Sequence, residues 1–301
     1  MTFADRLAGV VQARGSQIVL GLDPDPARLW PEAVEQAPAG GSPARRAAAA
    51  VRAHCAALID AAGPACVAVK PQLACFERLG ADGWAALAAT VEHAREAGLL
   101  VLADGKRGDI DVSAAAYAQA LVGSTPSPFG DVRGLGADAF TANPLLGVDA
   151  LRPLVEGARA AGAGVFVLVR TSNPGAADVE DLELAAGGPL WERLAAIVAA
   201  LGESGPQSGL ADVGAVVGAT RPEHVARMRE LMPQAPFLLP GIGAQGGRVE
   251  DLAPAWAAGR AGGLVSASRS IAQAYETAAG TPAAAARAEA ERLRERAWSL
   301  A

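Results

Sequence analysis

The chain has 301 residues, 51% hydrophobic and 19% charged, so it can build a substantial core in one large domain or two small ones. Its net charge of −6 argues against a nucleic-acid binder that relies on a basic surface, and an anionic substrate would need a local cationic pocket.

Phe3 to Ala13 reads as a short amphipathic helix, and Gln17 to Leu22 as a first strand stopped by Asp23-Pro-Asp-Pro26. Pro31 to Pro43 reads as a Pro/Gly/Ala-rich surface loop, and Ala44 to Ala62 as an Ala-rich helix. A second strand, Ala65 to Val69, ends at Lys70. A helix over Asp82 to Ala97, stopped by Gly98, leads to the apolar run Leu99 to Ala103. That third strand runs into Asp104, Lys106 and Asp109, and a helix follows over Asp111 to Val122. Gly123 to Gly136 reads as a loop, then a fourth strand over Ala137 to Thr141 ends at Asn143-Pro144. A helix over Asp149 to Ala161 precedes the fifth strand, Val165 to Val169, which ends in Arg-Thr-Ser-Asn-Pro-Gly175. Pro189 to Leu201 is helical, Val213 to Val217 is strand six, and Pro222 to Met232 is helical with proline in its first turn. Strand seven, Pro236 to Leu239, runs into Pro-Gly-Ile-Gly-Ala-Gln-Gly-Gly247, and a helix spans Arg248 to Ala258. Strand eight, Gly263 to Ser266, leads to Ser268-Arg-Ser-Ile271, and helical stretches from Ile271 to Thr277 and Pro282 to Leu300 follow.

Eight continuous apolar strands alternating with helices are what parallel strands covered on both faces look like. They point to a (β/α)8 TIM barrel as one domain over 1–301, with an N-terminal helix and a C-terminal helical extension. A doubly wound open sheet is the second choice, and no GxGxxG follows strand one to support a dinucleotide site. Cys55, Cys66 and Cys75 form no CxxC pair and are odd in number, which fits a reduced, cytoplasmic compartment. No signal peptide or membrane-length apolar run is read, so no membrane partner is expected.

In such a barrel the active site lies at the C-terminal strand ends. Those ends carry Asp23, Lys70, Asp104, Lys106, Asp109, Asn143, Ser172, Asn173, Gln245 and Arg269. Any one of these can be a strand cap or turn residue. The set at one rim is harder to explain that way. Charges at the end of a buried strand are costly unless paired, and residues two apart on an extended segment share a side, so Asp104 and Lys106 can share a site. With Lys70 they make a network in which each carboxylate keeps a lysine protonated, able to stabilise a carbanion and then protonate it. The Gly-rich loop and Arg269 suit a phosphate. His54, His93 and His224 all fall on helices and read as structural or surface. No cluster suggests a metal, and no cofactor motif is visible.

At this point the residues resemble a known family. Asp104-x-Lys106-x-x-Asp109 with Lys70 on the preceding strand is similar to orotidine 5′-phosphate decarboxylases, most of all their longer bacterial branch. Gly-Leu-Asp23-Pro, Thr-Ser172-Asn-Pro-Gly175, the Gly-rich loop through Gly247 and Ser-Arg269-Ser-Ile271 add matches in the same order. The resemblance implies a barrel enzyme that converts orotidine 5′-phosphate to UMP and CO2 in pyrimidine biosynthesis, without cofactor or metal. It implies that Asp23 and Lys70 bind ribose hydroxyls, that Asp104 sits against the substrate carboxylate, and that Lys106 stabilises and protonates C6. It places Ser172 on the pyrimidine and Gln245, Gly246 and Arg269 on the phosphate, with the loop after strand seven closing as a lid. It implies a homodimer in which Asp109, Ile110 and Ser113 serve the partner's site. Arg170 either touches substrate or makes a surface salt bridge.

Three alternatives stand beside this reading. Metal-dependent phosphosugar decarboxylases or synthases look similar and share Asp-x-Lys-x-x-Asp, but carry an acidic residue where Lys70 stands. A Schiff-base aldolase would need a neutral lysine, which flanking carboxylates disfavour. A non-catalytic nucleotide-binding barrel would need only the phosphate half.

Overall fold

The computed structural model describes residues 1–243 and 246–301. Eight parallel strands close into a barrel in the order β1-β10-β9-β8-β7-β6-β3-β2. They are β1 (Ile18–Leu22), β2 (Ala68–Pro71), β3 (Leu100–Arg107), β6 (Ala139–Ala142), β7 (Gly164–Arg170), β8 (Val213–Val217), β9 (Phe237–Leu239) and β10 (Gly263–Ala267). The expected (β/α)8 architecture is therefore what the chain adopts. The strands are buried on both faces, which is why their sequences are near-continuous apolar runs rather than alternating ones.

Strand periodicity sorts this apolar material into two layers. Val19, Ala68, Leu102, Ala139, Phe166, Val216, Leu238 and Leu264 form one buried cluster that fills the lower barrel. Their neighbours Ile18, Leu20, Val69, Val101, Phe140, Val165 and Val217 form the other, against the surrounding helices. The helix α1 (Phe3–Arg14) plugs the barrel base: Phe3 packs edge-on against Phe166 at 6.1 Å. Its N-cap is the Thr2 hydroxyl, which accepts from Asp5 N–H, and Gly15 closes it in the left-handed region. The outer ring includes α3 (Pro43–Ala62), α5 (Gly80–Glu96), α6 (Asp111–Leu121), α7 (Val148–Ala160), α8 (Leu190–Leu201) and α9 (Pro222–Leu231). The last helix, α11 (Pro282–Leu300), packs against α3. No helix among the described residues is long and apolar enough to cross a membrane.

Several local expectations are corrected. The 31–43 loop contains a short helix, α2 (Pro31–Glu35), with proline at its first position. The 123–136 loop carries a hairpin, β4 (Ser124–Thr125) with β5 (Val132–Arg133), whose tip leaves Phe129 98% exposed. A short helix, α4 (Leu73–Glu77), follows β2 directly. The segment Val249–Ala258 is a 3-10 helix rather than an α-helix, and it contains Pro254. The largest change concerns β3, which does not stop at Ala103 but continues through Asp104 to Arg107. Ala103 pairs with Phe140 and Arg107 with Ala142, so β3 holds two more residues than β6 over that span. The three residues Asp104, Gly105 and Lys106 lie within this irregularity, and Lys106 has φ +48°.

Candidate active site

The site follows from the same alternation that fills the barrel. Two residues above inward-facing Ala68, Leu102, Ala139 and Leu264 stand Lys70, Asp104, Thr141 and Ser266. Below this level the barrel is apolar, and at it the side chains become polar.

Asp104 is the centre. Its Oδ2 accepts from Lys70 Nζ at 2.6 Å and Gln72 Nε2 at 3.2 Å. Its Oδ1 accepts from Lys106 Nζ at 2.6 Å and the Thr141 hydroxyl at 2.9 Å. Burial alone would push the Asp104 carboxyl up, but the two ammonium groups and their hydrogen bonds outweigh it and hold it well below the usual carboxylate range. Burial alone would likewise pull Lys70 down; Asp104, and then Asp23, more than offset it and hold the ammonium above the ordinary lysine value. Lys70 Nζ lies 4.0 Å from Asp23 Oδ1. The result at neutral pH is an ionised carboxylate gripped between two protonated lysines.

At Gly105, within the bulge, a Cβ would lie 2.7 Å from Leu73 Cδ1 on α4, so a side chain there would make Leu73 shift. Beside the bulge, Arg107 pairs with Glu77 of α4 and its guanidinium stands 5.4 Å from the Tyr117 ring centroid. These contacts hold the middle and the C-terminal end of the irregular segment.

Asp23, Lys70, Pro240, Gly241, Ser266, Ser268 and Arg269 line one cleft, so the β1, β2, β9 and β10 ends face a shared space. Arg269 opens the short helix α10 (Arg269–Ala272) and is exposed. Gly246, with φ +88°, donates its N–H to Gly243 O at 2.9 Å in the Gly-rich turn. Gln245 lies outside the described residues. The β1 end is pinned from two sides: Trp30 donates its backbone N–H to His54 Nδ1 at 3.2 Å and its indole N–H to Ala272 O at 3.0 Å. His54 is thus a structural residue, as its helical position suggested.

Ser172 sits in the loop after β7. A Cβ on Gly218 would come within 2.9 Å of Ser172 Cα, so the β8 end needs glycine there for the loop to approach. Of its two expected roles, Arg170 makes the salt bridge, though a buried one rather than one at the surface. It is buried, with Nε 2.8 Å from Asp181 Oδ1 and Nη2 3.0 Å from Asp181 Oδ2, while Thr171 N–H donates to Glu180 Oε2 at 2.8 Å. This acidic pair clamps the start of the loop from behind. Asn143 is used in a turn, its Oδ1 accepting from Leu145 N–H at 3.0 Å.

The carboxylate of Asp109 does not join the cluster around Asp104. Its Oδ1 accepts from Ile110 N–H at 2.8 Å at the start of α6, and Ile110 and Ser113 are exposed there. The structure therefore brings Asp23, Lys70, Asp104 and Lys106 together and leaves Asp109 apart from them, with Ile110 and Ser113 exposed. It also adds Gln72 and Thr141, which the sequence reading did not single out. Gln72 had a signal in its place two residues past Lys70, whereas Thr141 stands two past Ala139, whose inward side only the structure shows.

The sequence profile of the orotidine 5′-phosphate decarboxylase / HUMPS family matches residues 16–288. An orotidine 5′-phosphate decarboxylase of Deinococcus radiodurans is 42% identical over 299 residues, which are 98% of this chain and 96% of that protein. Among solved structures, the OMP decarboxylase of Leishmania donovani is 33% identical with a TM-score of 0.71, covering 98% of this chain and 99% of that one. The UMP synthase of the same organism is 34% identical with a TM-score of 0.72, and this chain spans 57% of its length. The chain belongs to the orotidine 5′-phosphate decarboxylase / HUMPS family.

Proposed function

We propose that this chain, acting through one barrel domain, converts orotidine 5′-phosphate to UMP and CO2. The observation that carries the reading is the Asp104 carboxylate held between Lys70 and Lys106, each at 2.6 Å, with Arg269 bordering the same cleft as Lys70. Losing CO2 from C6 of the pyrimidine leaves an electron pair in the ring plane, with no conjugated sink. The barrier reduction needed lies toward the upper part of the roughly 8–23 kcal/mol enzymes supply. Fixed charge is a direct way to supply it. Lys106 Nζ stabilises the pair as the C6–carboxyl bond breaks, then transfers one proton to C6 and becomes neutral until it is reprotonated from solvent. Asp104 holds the Lys106 side chain in place, and Lys70 holds Asp104.

Asp23 and Lys70 take the ribose hydroxyls, and Ser172 the pyrimidine. Arg269, Gly246 and Gln245 take the phosphate, whose binding energy, remote from C6, is available for positioning and desolvation. Asp109, Ile110 and Ser113 complete the site of a second copy in a homodimer. The exposure of Ile110 and Ser113 at the start of α6, and the separation of Asp109 from the Asp104 cluster, support that assignment. The substrate is a small nucleotide rather than a nucleic acid, and three free cysteines fit a cytoplasmic enzyme.

Lys70 favours this reading over a metal-dependent phosphosugar enzyme, because an ammonium stands where such an enzyme needs a carboxylate. The deciding assay is loss of orotidine 5′-phosphate absorbance with purified protein, with and without EDTA. Turnover unaffected by EDTA is expected, and none at high enzyme concentration would sink the proposal. Mixing Asp109→Ala with Lys106→Ala protein should restore part of the activity; no recovery despite proven subunit exchange would contradict the shared sites.

A further inference from the structure

Thr141 lies on β6 and is 1% exposed. Its hydroxyl meets two groups: Asp104 Oδ1 at 2.9 Å and the backbone N of Lys106 at 2.8 Å. The direction of both bonds is fixed by their partners. A backbone N–H only donates and an ionised carboxylate only accepts. The single hydroxyl proton therefore goes to Asp104, and an oxygen lone pair takes the Lys106 N–H. The same Oδ1 also accepts from Lys106 Nζ at 2.6 Å. Lys106 is thus gripped at both ends, backbone and ammonium, by two groups that are hydrogen-bonded to each other.

Both grips have something to hold. Lys106 has φ +48°, a backbone conformation that side-chain-bearing residues rarely adopt and that persists only where its surroundings enforce it. Its side chain is 43% exposed, so packing does not fix the long flexible stem. The bulge in β3 supplies the slack that lets Lys106 turn, and Thr141, on the neighbouring strand, catches the turned N–H.

We propose that Thr141 is a positioning residue for the proton transfer: its hydroxyl couples the backbone of Lys106 to the Asp104 carboxylate and so sets where the ammonium meets C6. It acts through Lys106 and Asp104, not on the substrate, and this role rests on the decarboxylase reading above. Thr141 could instead only fill space between strands. The two roles divide cleanly among substitutions. Thr141→Val keeps the volume and loses the hydroxyl, while Thr141→Ser keeps the hydroxyl and loses the methyl.

The test is steady-state turnover of orotidine 5′-phosphate by the full chain and its Val, Ser and Ala variants. Misplacing a reacting group by about 1 Å can cost ~100-fold, so Thr141→Val and Thr141→Ala should lower kcat by roughly 10- to 100-fold. Their KM should stay within about threefold of wild type, because phosphate and ribose contacts do not pass through Thr141, and Thr141→Ser should keep kcat within about threefold. Thr141→Val at wild-type kcat, or Thr141→Ser as impaired as Thr141→Val, overturns the proposal. If Thr141→Val does not fold, the Ala and Ser variants decide alone: a loss in Ala that Ser does not share supports it, and wild-type kcat in Ala overturns it. Absence of turnover by the wild type overturns the decarboxylase reading and this role with it, whereas normal wild-type turnover with an unaffected Thr141→Val overturns this role alone.

Discussion

At the base of the barrel, Arg229 and Arg14 end on main-chain carbonyls; at the mouth, Lys70 and Lys106 end on one carboxylate. Arg229, on α9, donates to the carbonyls of Met232, Ala235, Ala255 and Gly262 at 2.8–2.9 Å, and its guanidinium lies 3.8 Å from the Phe237 ring centroid. Arg14 similarly gathers the carbonyls of Gly63, Cys66, Ala97 and Gly98. These carbonyls precede β2, β3, β9 and β10 or close the preceding helices, so the arginines fasten helix ends to strand starts. Lys70 and Lys106 instead converge on Asp104. An arginine on fixed carbonyls serves the fold. Two ammonium groups on one carboxylate keep their charge available to a substrate. The cost at the base is visible in Arg229, whose burial without a carboxylate pulls it down to about 10.

Removing Lys106 should produce the largest effect and should separate the two ends. In Lys106→Ala, Asp104 keeps Lys70, Gln72 and Thr141, so the fold should persist. Loss of both the proton donor and its fixed charge should lower kcat by roughly 10³–10⁴-fold. Near-normal turnover, with an unchanged thermal midpoint, would remove Lys106 from the role assigned to it.

The reverse experiment is Arg229→Met. It fills similar space but strips donors from five carbonyls, each costing about 1–3 kcal/mol if left unsatisfied and less where water reaches it. A net loss of about 3–5 kcal/mol in urea unfolding is expected, with kcat per folded molecule unchanged. A comparable fall in kcat would show that the base and the mouth are not independent.

The same contrast explains what the sequence could and could not say. The eight strands were legible because burial on both faces forces continuous apolar runs, and the mouth was legible because polar residues interrupt them at the C-terminal ends. Lys70, Asp104 and Lys106 came from that interruption. Thr141 was hidden because a run such as Ala139-Phe-Thr-Ala142, apolar on both faces, does not reveal which parity points inward. The bulge in β3 was hidden because it depends on pairing with β6, a long-range register. Arg229 was hidden for another reason: its helix reads as an ordinary charged amphipathic segment, and the carbonyls of Ala255 and Gly262, which join the nearby Met232, Pro233 and Ala235 around it, lie 26 and 33 residues away. Asp109 was placed outside its own site by the family resemblance, not by spacing, and the structure leaves its carboxylate on Ile110 N–H.

His54 sharpens the comparison, because it holds a mouth loop from beneath. Burial lowers it to about 4, from an ordinary value of 6.5. The neutral ring that accepts the Trp30 N–H is therefore the folded form. Between pH 6.5 and 4 the unfolded chain binds a proton at His54 that the folded chain does not. Stability should fall as pH drops through that window and be flat above it, by about 3 kcal/mol in total. Carboxylates titrate in the same range, so the measurement is the difference between wild type and His54→Gln in urea unfolding from pH 7 to 4.5. The variant should lose part of the slope. Parallel curves would mean that His54 takes up its proton over the same pH range in the folded and unfolded chain.

The smallest effect is expected at the rim. Arg28 and Glu276 pair at 2.6 Å, joining the loop after β1 to the segment after α10, and both side chains are about half exposed. The geometry is good, but water and salt screen an exposed pair, and fixing two long side chains opposes the gain. Such pairs contribute about 0.2–1 kcal/mol. Arg28→Ala should therefore shift stability by less than about 1 kcal/mol at low salt and by nearly nothing at ~1 M salt, where the screening length is about 3 Å. Its kcat and KM should match wild type, since Lys70, Asp104 and Lys106 are untouched. A several-fold rise in KM that salt abolishes would place Arg28 with the mouth rather than with the scaffold, and would extend the working charges of this site beyond the strand ends to the loop that frames them.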